Sequence, residues 1–324
     1  MKKSFKLFLA AAFLVTEFFV VALPLMITSA KADGHPIQAI THAGFGGGTD
    51  VTTRMMLLRA RRVLKQDMQL VNKKGGGGAA SMDYMMTLPA DGQHTLTWTT
   101  GHAVSMALGK TKVKLSDMQP LARGTDDPQL FVVNCKNDIK DAKKFISAQK
   151  SKSLKYGTTH VGGIDDVSAI AFTKKGKLTD PTIVPYKGVG PIKTNLIKGD
   201  IDVGVLNLGE AVTEIEDGTL CVSVVLASNR MEKLSNVPTA TELGIPVVLS
   251  TVRGFVTRKG VPADRKKQLE DAMIKAMEHK YFQSFLTDIG LDSTSVVGAD
   301  EWGKQMETML AEMTAQLKAL GYIK

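Results

Sequence analysis

Aromatic residues are scarce, 6% of the chain with two tryptophans, and cysteine is scarcer still, with Cys135 and Cys221 alone. So few cysteines exclude a small disulfide scaffold, and neither lies in a CxxC or metal-ligand spacing. They end the strand-like run "QLFVVNC" and begin "CVSVVLAS", which leaves one bridge and two buried thiols both open. Beyond the first thirty or so positions no apolar run reaches the ~18 residues that a spanning helix needs. The formal charge is +9, but the basic residues are scattered, with no aromatic-interleaved stripe. That excludes a nucleic-acid surface. No Ser/His/Asp order and no metal-spaced cluster is present, so no catalytic residue, metal or cofactor is expected.

What is present is a globular balance: 324 residues, 44% hydrophobic and 23% charged, enough chain for two domains. Sixteen methionines stand in for aromatics as core filling. The chain starts with the basic "MKKSFK", the apolar "LFLAAAFLVTEFFVVALPLMI" and the small-residue "TSAKA". Residues 1–32 therefore read as a secretory signal peptide, and a periplasmic protein is expected. Cleavage would remove Lys2, Lys3, Lys6, Lys31 and Glu17 and lower the formal charge from +9 to +6. The remaining excess suits an anionic ligand.

Strand-like and helical patterns alternate through residues 36–108 and restart at 129–228, which argues for two α/β units with mostly parallel sheets flanked by helices. The end of the chain is mainly helical. Pro262 fits the first turn of a helix over 262–279. Trp302, Met306, Met309, Leu310, Met313, Leu317 and Leu320 form one apolar face of a helix over 299–320. The segment "VLSTVRGFVTRKG" (248–260) reads as a strand returning from the second unit to the first, with the other crossing near 124–133. The boundaries expected are 33–128 and 253–324 for lobe 1 and 129–252 for lobe 2.

Glycine-rich loops precede several of the helices. "GFGGGTD" (44–50) is not a P-loop, because no lysine follows the glycines. Nor is it a dinucleotide fingerprint: Thr49 takes the third glycine position, and the second strand ends in Asn72-Lys73-Lys74 instead of an acid. Free N–H groups and the dipole at a helix start favour an anion. Phe45, Gly46, Gly47, Gly48, Thr49 and Asp50 are therefore candidate ligand residues, with Thr49 able to cap the helix or donate. "VNKKGGGGAAS" (71–81) reads as a tight turn under this site or as a second ligand contact. Thr99, Thr100 and His102 end the third strand, where α/β sheets bind ligands, although a lone histidine is more often structural. In the second unit the candidates are Thr158, Thr159, His160, Gly162, Gly163 and Asp165 in "YGTTHVGGIDD", Lys187 and Gly188 in "PYKGVGP", and Asn207. Donors converging from two units suit a di- or tricarboxylate better than hydrolysis.

Taken in order, "GFGGGTD", "VNKKGGGGAAS", "ADGQHTL", "VPYKGVGP" with "LIKGDIDV", "VPTATELGI" and "RGFVTRKGVP" resemble the substrate-binding proteins of tripartite tricarboxylate transporters, the Bug family. The resemblance covers most of the chain after residue 32. It implies a two-lobed, periplasmic-binding-protein-like α/β fold that closes on a small organic anion in the interlobe cleft. It also implies a monomeric receptor that serves a membrane permease of one large and one small subunit. Family ligands are mostly di-, tri- or aromatic carboxylates, held by backbone amides, hydroxyls and waters. "GGIDD" departs from the serine or threonine and histidine of many relatives. Either Asp165 caps the helix over 165–176, or the ligand brings a cationic or hydroxyl group there. An exported enzyme using the same cleft, or a partner of a signalling receptor, are the competing readings.

Overall fold

The computed structural model describes residues 35–159, 161–319 and 321–323. The expected signal peptide, His160 and Leu320 lie outside the described residues. The first unit begins β1 (Ile37–Thr41), α1 (Gly48–Leu64), β2 (Met68–Asn72), α2 (Ala79–Met86), β3 (His94–Thr99), α3 (Thr100–Ala107) and β4 (Met118–Pro128). The second holds β5 (Leu130–Asn134), α4 (Ala142–Ser151), β6 (Lys155–Thr158), α5 (Ile164–Lys175), β7 (Thr182–Pro185), α6 (Val189–Lys198), β8 (Val203–Leu206), α7 (Leu208–Glu216) and β9 (Leu220–Val225). The chain then returns through β10 (Ser250–Arg258), α8 (Ala263–Met277), α9 (Lys280–Asp288), β11 (Val297–Gly298) and α10 (Ala299–Ala319).

Two sheets result, ordered β11-β4-β10-β3-β1-β2 and β7-β6-β8-β5-β9. This is the expected two-lobed α/β fold, with one correction: the sheets are mixed, not mostly parallel. β2-β1-β3 and β7-β6-β8 are parallel. β10 runs antiparallel to β3 and β4, and β5 runs antiparallel to β8 and β9. The cause is the crossing itself. A strand that leaves one sheet and enters the other, or returns, cannot keep the direction set by the βαβ units.

β4 is the strand that the sequence conceals. "MQPLARGTDDP" has two prolines, a glycine and three charges, a poor strand composition. It is extended because β10 pairs with it along its whole length, with register shifts at Arg253/Gly254 and at Phe255/Val256. Such irregularities re-aim side chains, and Arg253 stands at one of them.

The core explains the rest of the pattern. One face of the first sheet packs Ile37, Met56, Leu121, Phe255, Met273 and Phe282 between α1, α8 and α9. On its other face Trp302 of α10 meets Trp98 at 5.8 Å between ring centroids and lies flat on Gly254, where a Cβ would come within 2.3 Å of the indole. Phe131, Phe145, Tyr156 and Phe172 cluster on one face of the second sheet. Leu130, Ile192, Leu196, Leu206 and Leu220 fill the other. Buried methionines, among them Met56, Met82, Met85, Met273, Met306 and Met313, supply much of the volume, as the composition suggested.

Of the two states left open for the cysteines, the structure has the bridge: Cys135 and Cys221 are bonded, Cα–Cα 5.0 Å, at a sequence separation of 86. The closed loop contains β6, β7 and β8, hence most of the second lobe. Replacing both cysteines by serine is expected to lower stability by about 2–4 kcal/mol, since a loop of this length loses much unfolded-state entropy when tied. Urea denaturation of the oxidised protein measures this; an unchanged midpoint would mean that the bridge carries no stability.

Candidate ligand cleft

The loops before α1 and α5 are built alike. Gly46 (φ 75°) and Gly162 (φ 67°) take left-handed backbone, which glycine adopts without Cβ strain. Gly47 and Gly163 follow as N-caps, and no side chain caps either helix. In each helix an aspartate in the first turn reaches back four residues. Gly46 N–H donates to Asp50 at 3.0 Å, and Gly162 N–H donates to Asp166 at 2.5 Å. Asp50 also pairs with Arg54 at 2.8 Å, whose guanidinium lies 4.8 Å from the centre of the Phe45 ring. Phe45 and Val161, at matching positions, are the exposed tips, 85% and 68% accessible.

This equivalence corrects the capping role expected of Asp165. Gly163 is the cap, and Asp165 stands where α1 has Thr49. It accepts from the Thr159 N–H at 2.9 Å and from Thr159 Oγ1 at 2.6 Å, and Gln129 Nε2 donates to it at 3.4 Å. The acid therefore ties its own loop to the crossing strand. Gly162 faces Leu108 and Lys110 beyond α3. Thr158 ends β6 with its carbonyl accepting from Tyr186 N–H at 2.8 Å.

Thr99, Thr100 and His102 are also used internally. His102 is fully buried and its pKa lies well below the usual imidazole value, chiefly because burial penalises the cation and secondarily because of His42. Thr99 N–H donates to Nδ1 at 3.0 Å, so the proton of the neutral ring sits on Nε2, which donates to Ser81 Oγ at 3.0 Å. Ser81 in turn donates to Gly78 O at 2.7 Å. This tautomer cannot take a proton from Ser81, so the pair is a strut and not a nucleophile with its base. Its load is the four-glycine turn: a Cβ on Gly78 would come within 2.8 Å of the His102 ring. Thr100 Oγ1 donates to Ser250 O at 3.0 Å and accepts from Val252 N–H at 2.9 Å.

The cavity between the sheets has a volume of about 260 Å³. From the first lobe it is lined by Gly46, Gly47, Gly48, Val51 and Thr52 of α1 and its loop, and by Phe285 and Ile289 at the end of α9. From the second come Val189, Gly190 and Lys193 of α6, and Gly209 and Glu210 of α7. Asp127 and Arg253 line it from the crossing strands. Of the expected residues the wall includes the three glycines. Lys187 and Gly188 lead into α6, whose N-cap Gly188 leaves its first N–H groups without a side-chain cap. Asn207 sits one layer behind.

Arg253 was missed, although a lone cation inside a strand-like run was the signal that could have found it. Asp127 had no such signal, because its strand does not read as one. The Arg253 guanidinium donates to Asp127 Oδ2 at 3.1 Å, Thr49 Oγ1 at 3.3 Å, Thr125 Oγ1 at 3.4 Å and Asn207 Oδ1 at 3.3 Å. Asn207 donates to the carbonyls of Asp127 and Pro128, both at 2.9 Å, and its own N–H is held by Glu210 at 3.1 Å. Arg253 and Asp127 are 3% and 2% exposed. Burial pushes the Asp127 carboxyl up to about 7, against the pull of Arg253 and helped by Glu210. Burial raises Glu210 as well.

The sign of the resulting pH dependence follows directly. Between pH ~4 and ~7 folded Asp127 keeps a proton that the unfolded chain has released, so the stability it contributes falls as pH rises through that window. The ceiling for a shift of about three units is about 4 kcal/mol. Denaturation at pH 4.5 and 7.5 is expected to show wild type losing ground to Asp127→Asn at the higher pH; a constant difference would refute the shift. Arg253→Ala, which strands the buried acid, is expected to cost about 3–5 kcal/mol at pH 7.5.

Comparison with known proteins agrees with this geometry. Residues 52–321 match the family described as tripartite tricarboxylate transporter family receptor. BugT of Bordetella pertussis is 27% identical over 220 residues, covering 65% of this chain and 66% of that one. MatC of Rhodopseudomonas palustris, solved with bound malate, superposes with a TM-score of 0.77 at 23% identity, covering 87% of this chain and 98% of that one. R. palustris Rpa4515, solved with adipate, gives 0.79 at 21% identity over 88% and 97% of the two chains. With its two mixed sheets meeting over one cleft and a family match across most of its length, the chain belongs to the receptors of the tripartite tricarboxylate transporter family.

Proposed function

We propose that the chain is a periplasmic receptor that captures a small carboxylate in this cleft by lobe closure and hands it to a permease of one large and one small subunit. The observation that carries the reading is the pair of helix starts, α1 from one lobe and α6 from the other, that face one cavity with glycine N-caps and no side-chain cap. Orphan N–H groups and two dipole ends of the same sign make that space favourable for an anion. The malate and adipate held by the two structural neighbours support the ligand class.

Closure would turn on the crossings. Gln129 alone separates β4 from β5. Its N–H donates to Leu249 O at 2.9 Å, and its carbonyl accepts from Leu226 N–H at 2.8 Å. In this reading the lobes are the parts that carry the two sheets, near the boundaries read from the sequence. Their rims meet where a Cβ on Gly209 would come within 2.5 Å of Ile289 and where Lys233 donates to Asp288 O at 2.9 Å. Such a contact parts without opening either core, so a bridging ligand can shift an open population to a closed one.

A carboxylate panel in a thermal-shift assay tests this. A ligand at ~100 times its Kd should stabilise the protein by about 2.7 kcal/mol, several degrees in Tm, and small-angle scattering should show contraction. Gly48→Ala, whose Cβ would sit 2.6 Å from Arg253 Nη2, is expected to weaken binding tenfold or more. Silence across mono-, di-, tri-, aromatic and amino carboxylates would refute the proposal.

A further inference from the structure

Resting on the receptor reading, we infer that the ligand is an amino-carboxylate: its carboxylate lies on the glycine N-caps, and its ammonium faces Asp127 and Glu210 at the hinge wall. The cavity has two chemically different ends. At one, Gly48 and the start of α6 offer N–H groups, those of Gly46 and Gly47 being already given to Asp50 and to the Gly44 carbonyl. At the other, each wall cation already has an acid of its own. Arg253 faces Asp127 at 3.1 Å, and Lys193 faces Glu214 at 2.7 Å. Glu210 then adds a further carboxylate, with no cation at ion-pair distance among the described residues.

Asp127 supplies the second observation. It is 2% exposed and lines the cavity, yet its Oδ1 has no hydrogen-bond donor among the described residues. A buried carboxylate oxygen without a donor is costly. Burial raises both Asp127 and Glu210, a penalty that an adjacent ammonium would offset. A plain dicarboxylate would place its second charge against these two acids and be repelled. A tricarboxylate would fare worse, and the volume of about 260 Å³ sits below the ~300–1,000 Å³ typical of pockets for drug-sized ligands. A zwitterion of three to five carbons meets both ends.

Calorimetry at pH 7.5 on the purified protein with matched pairs decides the matter: alanine and propionate, aspartate and succinate, glutamate and glutarate, with malate as the hydroxyl counterpart of aspartate. The expected result is that at least one amino member binds tenfold or more tighter than its partner without the amine, and tighter than malate. Asp127→Asn should pull that ratio toward one. Because this variant also disturbs the Arg253 pair, Glu210→Gln provides a second test and should narrow the ratio independently. If succinate, glutarate or malate binds as tightly as the amino acids or tighter, the amino-carboxylate inference is overturned while the carboxylate receptor stands. If no member of any pair binds, the amino-carboxylate inference falls, and the receptor reading falls with it only if the wider carboxylate panel is silent too.

Discussion

Arg253 places a guanidinium where four elements meet: β10 that carries it, β4 through Asp127 and Thr125, α1 through Thr49, and α7 through Asn207. The first three belong to one lobe and the last to the other. A buried arginine is tolerable only when its charge and its donors are matched, so its partners must stay in register. This explains features that look unrelated. Gly48 has no side chain because the guanidinium occupies that space. Thr49 sits inside the helix instead of capping it, because its hydroxyl accepts from the arginine. Asn207 spends its amide on the β4 carbonyls and leaves its oxygen for Arg253. The irregular β4–β10 pairing re-aims the arginine toward the crossing.

In the receptor proposal, the same interaction would link the hinge to the ligand site. Asp127, Arg253 and Glu210 are at once the wall of the cavity and the joint between the sheets. A ligand that changes the charge on this wall would then change the joint, with no chain of intermediates required. Coupling of this kind is local electrostatics at a two-state element.

Much of this was legible in the sequence, and the limits have physical causes. The βαβ runs of both lobes, the methionine core and the loop before α1 were readable, since period and glycine placement are local signals. β4 was not, because its extended backbone is imposed by a partner more than a hundred residues away. The parallel bias was overestimated for the same reason: direction in a sheet is decided by crossings, and crossings leave no periodicity. At the site, the glycines of α1 were found from backbone chemistry. Thr99, Thr100 and His102 lie at a strand end that could face ligand, but long-range bonds to Ser250, Val252 and Ser81 turn them inward. Asp127 and Glu210 gave no warning, since an acid is unremarkable before a proline and in a helix's first turn.

The two glycine loops show how little a motif decides by itself. "GGGTD" and "GGIDD" produce the same backbone, the same uncapped helix start and the same aspartate reaching back to the first glycine. One lines the cavity and the other does not. The difference lies in the residue before that aspartate. Thr49 accepts from Arg253 and keeps the start of α1 on the cavity wall. Asp165, at the equivalent place, draws in Thr159 and Gln129 and closes its loop upon itself. An acid there also takes up N–H and O–H donors that would otherwise remain for an anion. The second lobe instead brings α6 and α7 to the cavity, one with free N–H groups and the other with Glu210. In the amino-carboxylate inference, a helix start and an acid in place of a second donor-rich loop would make the cleft polar, with a positive end and a negative end.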